Sequence, residues 1–598
     1  MNRIISGLQV LLFIILFAFV GCDDSETDEV SSVIPQELTT LIHSGSLLKT
    51  VDQQGELYTL IFEDTTFVLS DITIDKIVCN KSEWNTTVFY KDGKELAIPT
   101  LGDNLDNVVK KTTVNPTGYC PLAVEFQLSF PVPGRVKVIV EGKNGSEGDL
   151  EHLFPLNSAN QLITVFGLYP DYKNNLTLIF TDNAGNERLR TTQQIETAPL
   201  DNLYLLTIDV EKAIPEKMEK GLTFIAYLGA NEFDTFCPFM VDCEGEVRWT
   251  LTLKPHPQIG NIQTHTGFKR LRNGNFLCGN IKTSSILEID MLGSVKNAWE
   301  LRPLGYEFHH EVTEMPNGNF LILVSGHSSV DESGNSTVSD MVLELNRETG
   351  AIRNIWDLKK SLDEKRKVAV DENEWDPQDW AHDNAITYSP DDDCIIVSAR
   401  HQGLIKLDRN NQVKWILAPH KGWENKGLSG KLLDPLDASG NKIIDDKIKK
   451  GEARHADFDW SWGGHNPSLL DDGSILIFDN GYYRQYNSGN INDVPDSWMY
   501  SRSVIYKIDE NKRTVRQAWQ YGEERGRECW AIAISSTQYL PERKHILFCP
   551  GVGTISAKGL GGKVVEVDME TREVVFEANF VSPTVWVFHR AVRMPLYP

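Results

Sequence analysis

Positive charge is scarce in this chain: 59 Lys and Arg stand against 84 Asp and Glu, a formal charge of −25. Binding a nucleic-acid polyanion calls for clustered Lys and Arg, so that class of partner is excluded, and the acidity serves solubility. Cysteine is sparse and unpatterned. There are nine, none in a CxxC pair, which excludes a disulfide framework and zinc knuckles. Cys278 and Cys394 stand where apolar strand residues belong and read as buried thiols. There is no G-x-x-x-x-G-K-[ST] loop, no G-x-G-x-x-G after a strand and no G-x-S-x-G elbow. Nucleotide donors and the hydrolase-type serine are therefore disfavoured. Beyond the N-terminus no apolar run is long enough to span a membrane.

That N-terminus has a short basic start, an apolar run of signal-peptide length, and Phe19-Val20-Gly21-Cys22. The last four residues resemble a bacterial lipoprotein box. This implies Cys22 as a lipidated mature N-terminus and an exported protein of a Gram-negative cell, periplasmic or held on the outer membrane or cell surface. A plain uncleaved anchor is the alternative. The expected organisation is a signal at 1–22, an acidic tether at 23–34, a small β-rich region at 35–100 and a β-sandwich at 101–198. In the last, V-E-F-Q-L-S-F, R-V-K-V-I-V-E-G, L-I-T-V-F-G-L and N-L-T-L-I-F-T-D read as strands at Ig-like spacing.

Residues 199–598 hold an internal repeat. An alternating strand ending in Asp or Asn, a polar turn and a second strand recur from Pro238, Ile286, Met341, Leu404, Val504 and Val564. Five copies carry a Trp in the second strand: Trp249, Trp299, Trp356, Trp415 and Trp519. A further strand pair precedes most copies, and four strands per unit predict an all-β, six-bladed β-propeller. The last strand, from Phe588, is expected to close the ring on the first blade. A pair of sandwiches is the weaker alternative.

His310, Asn384 and His465 each stand six residues before the turn of that preceding pair, and Thr266, Ser536 and His589 fall near the same address. The innermost strand of a blade lines the channel, so these groups should converge, with His265, His309 and His382 beside them. Several imidazoles near one axis are costly to gather unless they serve an anion, a metal or a reacting group. Arg400, ending C-I-I-V-S-A-R, adds a forked cation suited to a tetrahedral oxyanion. Each alone also fits a structural corner residue or surface pair.

D-W-A-H-D-N from Asp379, S-A-R from Ser398, W-G-G-H-N-P from Trp462 and, in support, H-H-E-V-T-E-M-P-N-G-N from His309 resemble the bacterial arylsulfate sulfotransferases, six-bladed propellers behind a β-sandwich. The likeness covers roughly 100–598. It implies His465 as a transiently sulfated histidine, His382 and Asn384 as the D-W-x-H-x-N pair, and Arg400 as the sulfate-binding arginine. The upstream histidine falls on His309 or His310, and the repeat favours His310. The implied activity moves a sulfuryl group from a phenolic sulfate to a phenol, without nucleotide sulfate, cofactor or metal. His309, His265, Trp462 and Tyr482, with Trp380, Trp460 and Tyr483, are candidates to contact substrate, a core role being open for the aromatics. A non-catalytic propeller holding anionic ligands is one alternative. A metal-dependent lyase or hydrolase is a weaker one, because the histidines show no accompanying carboxylate pattern. Oligomeric state is open, a homodimer included.

Overall fold

The structure, a computed structural model, describes residues 33–598 except 71–72, 103–104, 106, 201–205, 229–236, 263–265, 327–328, 331–335, 367, 369–378, 424–426, 483, 486–493 and 584–586. Signal and tether up to residue 32, with Cys22, lie outside the described residues, as do His265 and Tyr483. The chain forms two compact units, Met1–Asp106 with Asp182–Asn186, and Asn107–Thr181 with Glu187–Pro598. Among the described residues the first holds one α-helix, Gln36–His43, and two three-stranded antiparallel sheets, around a core of Leu38, Leu60, Phe62, Val88 and Ile98. That helix interrupts what reads as uniformly β-rich sequence.

The second unit opens with a six-stranded sheet between Val109 and Glu196. Two of its expected strands are one: Ala123–Val140 runs on through Pro131-Val132-Pro133-Gly134, with buried and exposed positions alternating on either side. Proline lacks a ladder donor but fits extended φ, so the segment shifts the pairing register with Ser158–Asn160 without ending the strand. Arg248, fully buried, ties this module to the next by donating to Gly167 O (2.9 Å) and Tyr169 OH (2.9 Å).

Among the described residues, six larger sheets follow, antiparallel except where Asp434–Leu436 joins the fifth in parallel, with a two-stranded hairpin beside the third; this is the architecture of a propeller. Their innermost strands in the second to sixth sheets are Lys269–Arg270, Tyr306–Glu314, Asp383–Ser389, His465–Leu469 and Ser536–Leu540. The C-terminal strand Phe588–Met594 pairs with Leu222–Tyr227 and is the innermost strand of the first sheet. Conversely Thr207–Ala213 adds itself to the outer edge of the last sheet, on Val574–Val581. Both ends of the propeller region are thus locked into sheets remote in sequence.

The repeated Asp and Trp have distinct duties. Asp242, Asp290 and Asp408 accept two turn N–H groups each through Oδ1, an Asx turn that sets the hairpin. The five indoles each donate to the hairpin turn of the next sheet: Trp249 to Met291 O, Trp299 to Arg347 O, Trp356 to Asp408 O, Trp415 to Glu510 Oε1 and Trp519 to Met569 O, at 2.7–3.0 Å. An indole here fills the gap between sheets and sets their register through one directional bond. The eight cysteines from Cys79 onward are free, and all but Cys79 and Cys243 are buried.

Candidate active site

Three of the inner strands carry the same backbone device. His310, His382 and Asn466 all have φ of 53°, and pairing slips at Phe308/Val312, Asp383/Ala385 and His465/Ser468. A left-handed non-glycine residue costs on the order of 1–3 kcal/mol, and a bulge re-aims the side chains around it. The six-before-turn address therefore marks the right strands. The strain itself falls on His382 two residues ahead of Asn384, and on Asn466 just after His465.

His465 is 3% exposed. Its Nδ1 faces two acceptors, Asn480 Oδ1 at 2.7 Å and Gly463 O at 3.1 Å. The Asn480 amide is oriented by its own donations to Ala531 O and Ile534 O. Nδ1 must then carry the proton, and Nε2 keeps its lone pair. Burial, against the Asn480 hydrogen bond and with the charges of Arg400, His382 and Arg590, holds the imidazole pKa well below its usual 6.5. The ring is a neutral base with one nitrogen free. The W-G-G-H glycines make room: Gly463 has φ of 62° with Tyr482 Cβ 2.8 Å from where a Cβ would sit, and at Gly464 Ile477 would be at 2.6 Å.

His382 is held by Asp379, whose carboxylate bonds its Nδ1. Burial would raise the Asp379 pKa, but His382 outweighs it and holds it at about 2. The His310 ring lies 5.0 Å from that of His382. His309 turns the other way: its Nδ1 is 3.1 Å from His310 Nδ1, while Nε2 lies 3.7 Å from Asp340 Oδ1 and 3.5 Å from Asp383 Oδ1. Burial lowers the His309 pKa to about 4. The expectation that these histidines lack accompanying carboxylates is corrected here. Asp340 and Asp379 come from strand ends and loops far apart in register, and tertiary packing brings them beside Asp383. Burial and the Asp379 charge push the Asp340 pKa up to about 8, and burial and Asp340 push Asp383 well above its usual range.

Cationic and polar groups converge on the same inner strands. Arg400, whose backbone N–H donates to His382 O at 3.0 Å, stacks its guanidinium 4.7 Å over Tyr482 and leaves its buried Nε without a partner. Asn384 is fully buried with both amide atoms unpartnered. Residue-level reading missed Arg590, on the closing strand beside His589, and Glu311, beside His310. They form a buried ion pair (Nη1 to Oε1, 3.0 Å) to which Lys269 adds a second cation. Charged residues next to the histidine addresses were the available signal. His401 is buried, its ring 6.4 Å from that of Tyr482. Tyr482 is 4% exposed beneath Arg400, whereas Trp462, Trp460 and Trp380 pack in the cores between sheets. His589 is buried on the closing strand, and Thr266 is buried with its hydroxyl unpartnered.

The fold and site define a β-propeller protein with a buried, neutral imidazole that has Arg400, His382 and Arg590 as its charged neighbours. The arylsulfotransferase (ASST) profile matches residues 207–588, and an arylsulfotransferase Ig-like domain matches 111–198. The chain belongs to the arylsulfotransferase family. It is 32% identical over 551 residues to the arylsulfate sulfotransferase AssT of Escherichia coli O6:H1, and 30% identical over 549 to that of Lelliottia amnigena. Each alignment covers 78% of this chain and 90% of the relative. Among solved structures, the β-propeller domain of Cps50 (Swd1) from Myceliophteria thermophila is 11% identical, covering 60% of this chain and 87% of that one, with a TM-score of 0.27.

Proposed function

We propose that this protein transfers a sulfuryl group from a phenolic sulfate ester to an acceptor phenol in two steps through a sulfated His465, with no nucleotide sulfate. The observation that supports it most is His465 itself: buried, neutral, with Nδ1–H held by Asn480 and Nε2 free. Nε2 attacks sulfur in line. The N–S bond forms as the S–O(aryl) bond breaks, and the electron pair leaves on the phenolate oxygen. Arg400 and Asn384, with donors buried and unpartnered, bind the non-bridging oxygens as their charge redistributes. His382, oriented by Asp379, gives the leaving phenolate its proton and later takes one from the acceptor phenol, as microscopic reversibility requires. His310, against the His382 ring, adds a donor to the same oxygens.

Incubation with donor alone is the test. One sulfo group should add to the intact protein, mapping to His465, with one equivalent of phenol released as a burst. A label on another histidine refutes the assignment, and no adduct with any aryl sulfate leaves an anion-binding propeller. We also propose export and anchoring through Cys22. Cys22→Ser should then release the protein from membranes, and continued firm association of that variant refutes the anchor.

A further inference from the structure

We propose that His309, Asp340 and Asp383 form a zinc site beside the sulfuryl-transfer centre. One ligand atom from each lies within 4.8 Å of the others. Asp383 is fully buried, and its carboxylate meets no donor beyond its own backbone and the facing Asp340 carboxyl. Asp340, 2% exposed, spends Oδ2 on the backbone N–H of His382 (3.1 Å) and turns Oδ1 toward His309 Nε2. That Nε2 is itself buried and without a hydrogen bond. Two carboxylates this close, shut from water, do not both keep their charge unless a shared proton or a cation stands between them, and the His309 nitrogen facing both adds the third ligand that a cation needs. The cations nearby are committed elsewhere: Arg590 and Lys269 to Glu311, and His382 to Asp379.

The donor set and spacing select the ion. One imidazole nitrogen with two carboxylate oxygens suits zinc better than calcium or magnesium, which take oxygen alone. A tetrahedral ion with bonds of about 2.0–2.2 Å sets neighbouring ligand atoms about 3.3–3.6 Å apart. The two edges from His309 Nε2, 3.5 and 3.7 Å, fall close to that range, and a fourth position is left for water. Metal on Nε2 requires the proton of His309 on Nδ1, where it is donated to His310 Nδ1 at 3.1 Å. His310 then carries its own proton on Nε2. On the sulfuryl-transfer reading this fixes His310 as an oxyanion donor, but the binding test does not depend on that reading.

The full chain, stripped with a chelator and titrated with zinc, should take up one equivalent in a saturable step, with metal measured by elemental analysis after desalting. Cobalt(II) in place of zinc should show the intense visible bands of a tetrahedral site. Asp383→Asn and His309→Gln should each weaken uptake by about 10²-fold or more, the upper end of what even outer partners cost, while circular dichroism shows a folded protein. Wild type that takes up no zinc overturns the proposal. So does uptake that survives both substitutions, because the ion then sits elsewhere, for instance on a thiol. If one variant does not fold, the other and the wild-type cobalt spectrum decide.

Discussion

Two inner strands, on the third and fifth sheets, hold histidines at the same strained bulge and treat them differently. On the fifth sheet His465 has an amide partner, Asn480, and faces the cations Arg400 and Arg590. On the third, His309 and His310 sit against a fourth-sheet strand lined by Asp379 and Asp383. An imidazole with cations around it and a neutral acceptor on Nδ1 keeps a naked, weakly basic nitrogen, which is what attack on sulfur needs. An imidazole gripped by a carboxylate is a proton carrier or a metal ligand. The backbone places the rings, and the partner on the far nitrogen assigns the work.

The largest expected effect tests the nucleophile side. His465→Asn keeps the size but removes the attacking nitrogen, so adduct and phenol burst should vanish together. An adduct still formed breaks the contrast. On the proton-carrier side, His382→Asn should slow turnover by about 10² to 10⁴ yet leave an adduct that forms slowly on His465. Loss of the adduct would make the two histidines equivalent. Arg400→Lys should lower turnover about 10²-fold, the scale of one oxyanion donor, with the protein folded. Near-normal rates would reduce Arg400 to a packing partner of Tyr482.

A pH series sharpens the same contrast. Because the folded pKa of His465 is depressed, its free base is present above that lowered value, and burst amplitude should hold as pH falls through 6.5, where an ordinary imidazole loses half its nucleophile. A fall centred near 6.5 would place an ordinary imidazole in the role. The smallest effect lies far from the chemistry. Trp356→Phe deletes the indole bond to Asp408 O (2.7 Å) and should cost about 0.5–1.5 kcal/mol of stability, read by denaturant unfolding, with the burst unchanged.

Much of the fold was legible because its signals are local. Alternation, Asx turns and a Trp in each second strand recur within tens of residues, and each states its own unit's need to bury a face against the next. The inner-strand address was legible for the same reason, and it pointed to the strands that carry His310, Asn384 and His465. The proline-bearing segment at Pro131 read as a break because extended φ suits both a turn and a continuing strand. Signals that depend on a partner distant in the chain were silent. Nothing near His309 announces Asp340, 31 residues on by sequence number. Nothing near Glu311 announces Arg590, 279 residues away on the closing strand.

By itself the sequence determined an all-β chain, the repeat that places histidines on inner strands, and the motifs shared with arylsulfotransferases. Only the tertiary structure decided which nitrogen of His465 is free, that His309 turns toward two buried carboxylates, and that Arg590 acts on His465 from the closing strand. The physical reason is one of range. Strand periodicity and turn chemistry are paid within a few residues, whereas protonation and charge depend on burial and on groups that come within a few ångströms only when the sheets close on one another.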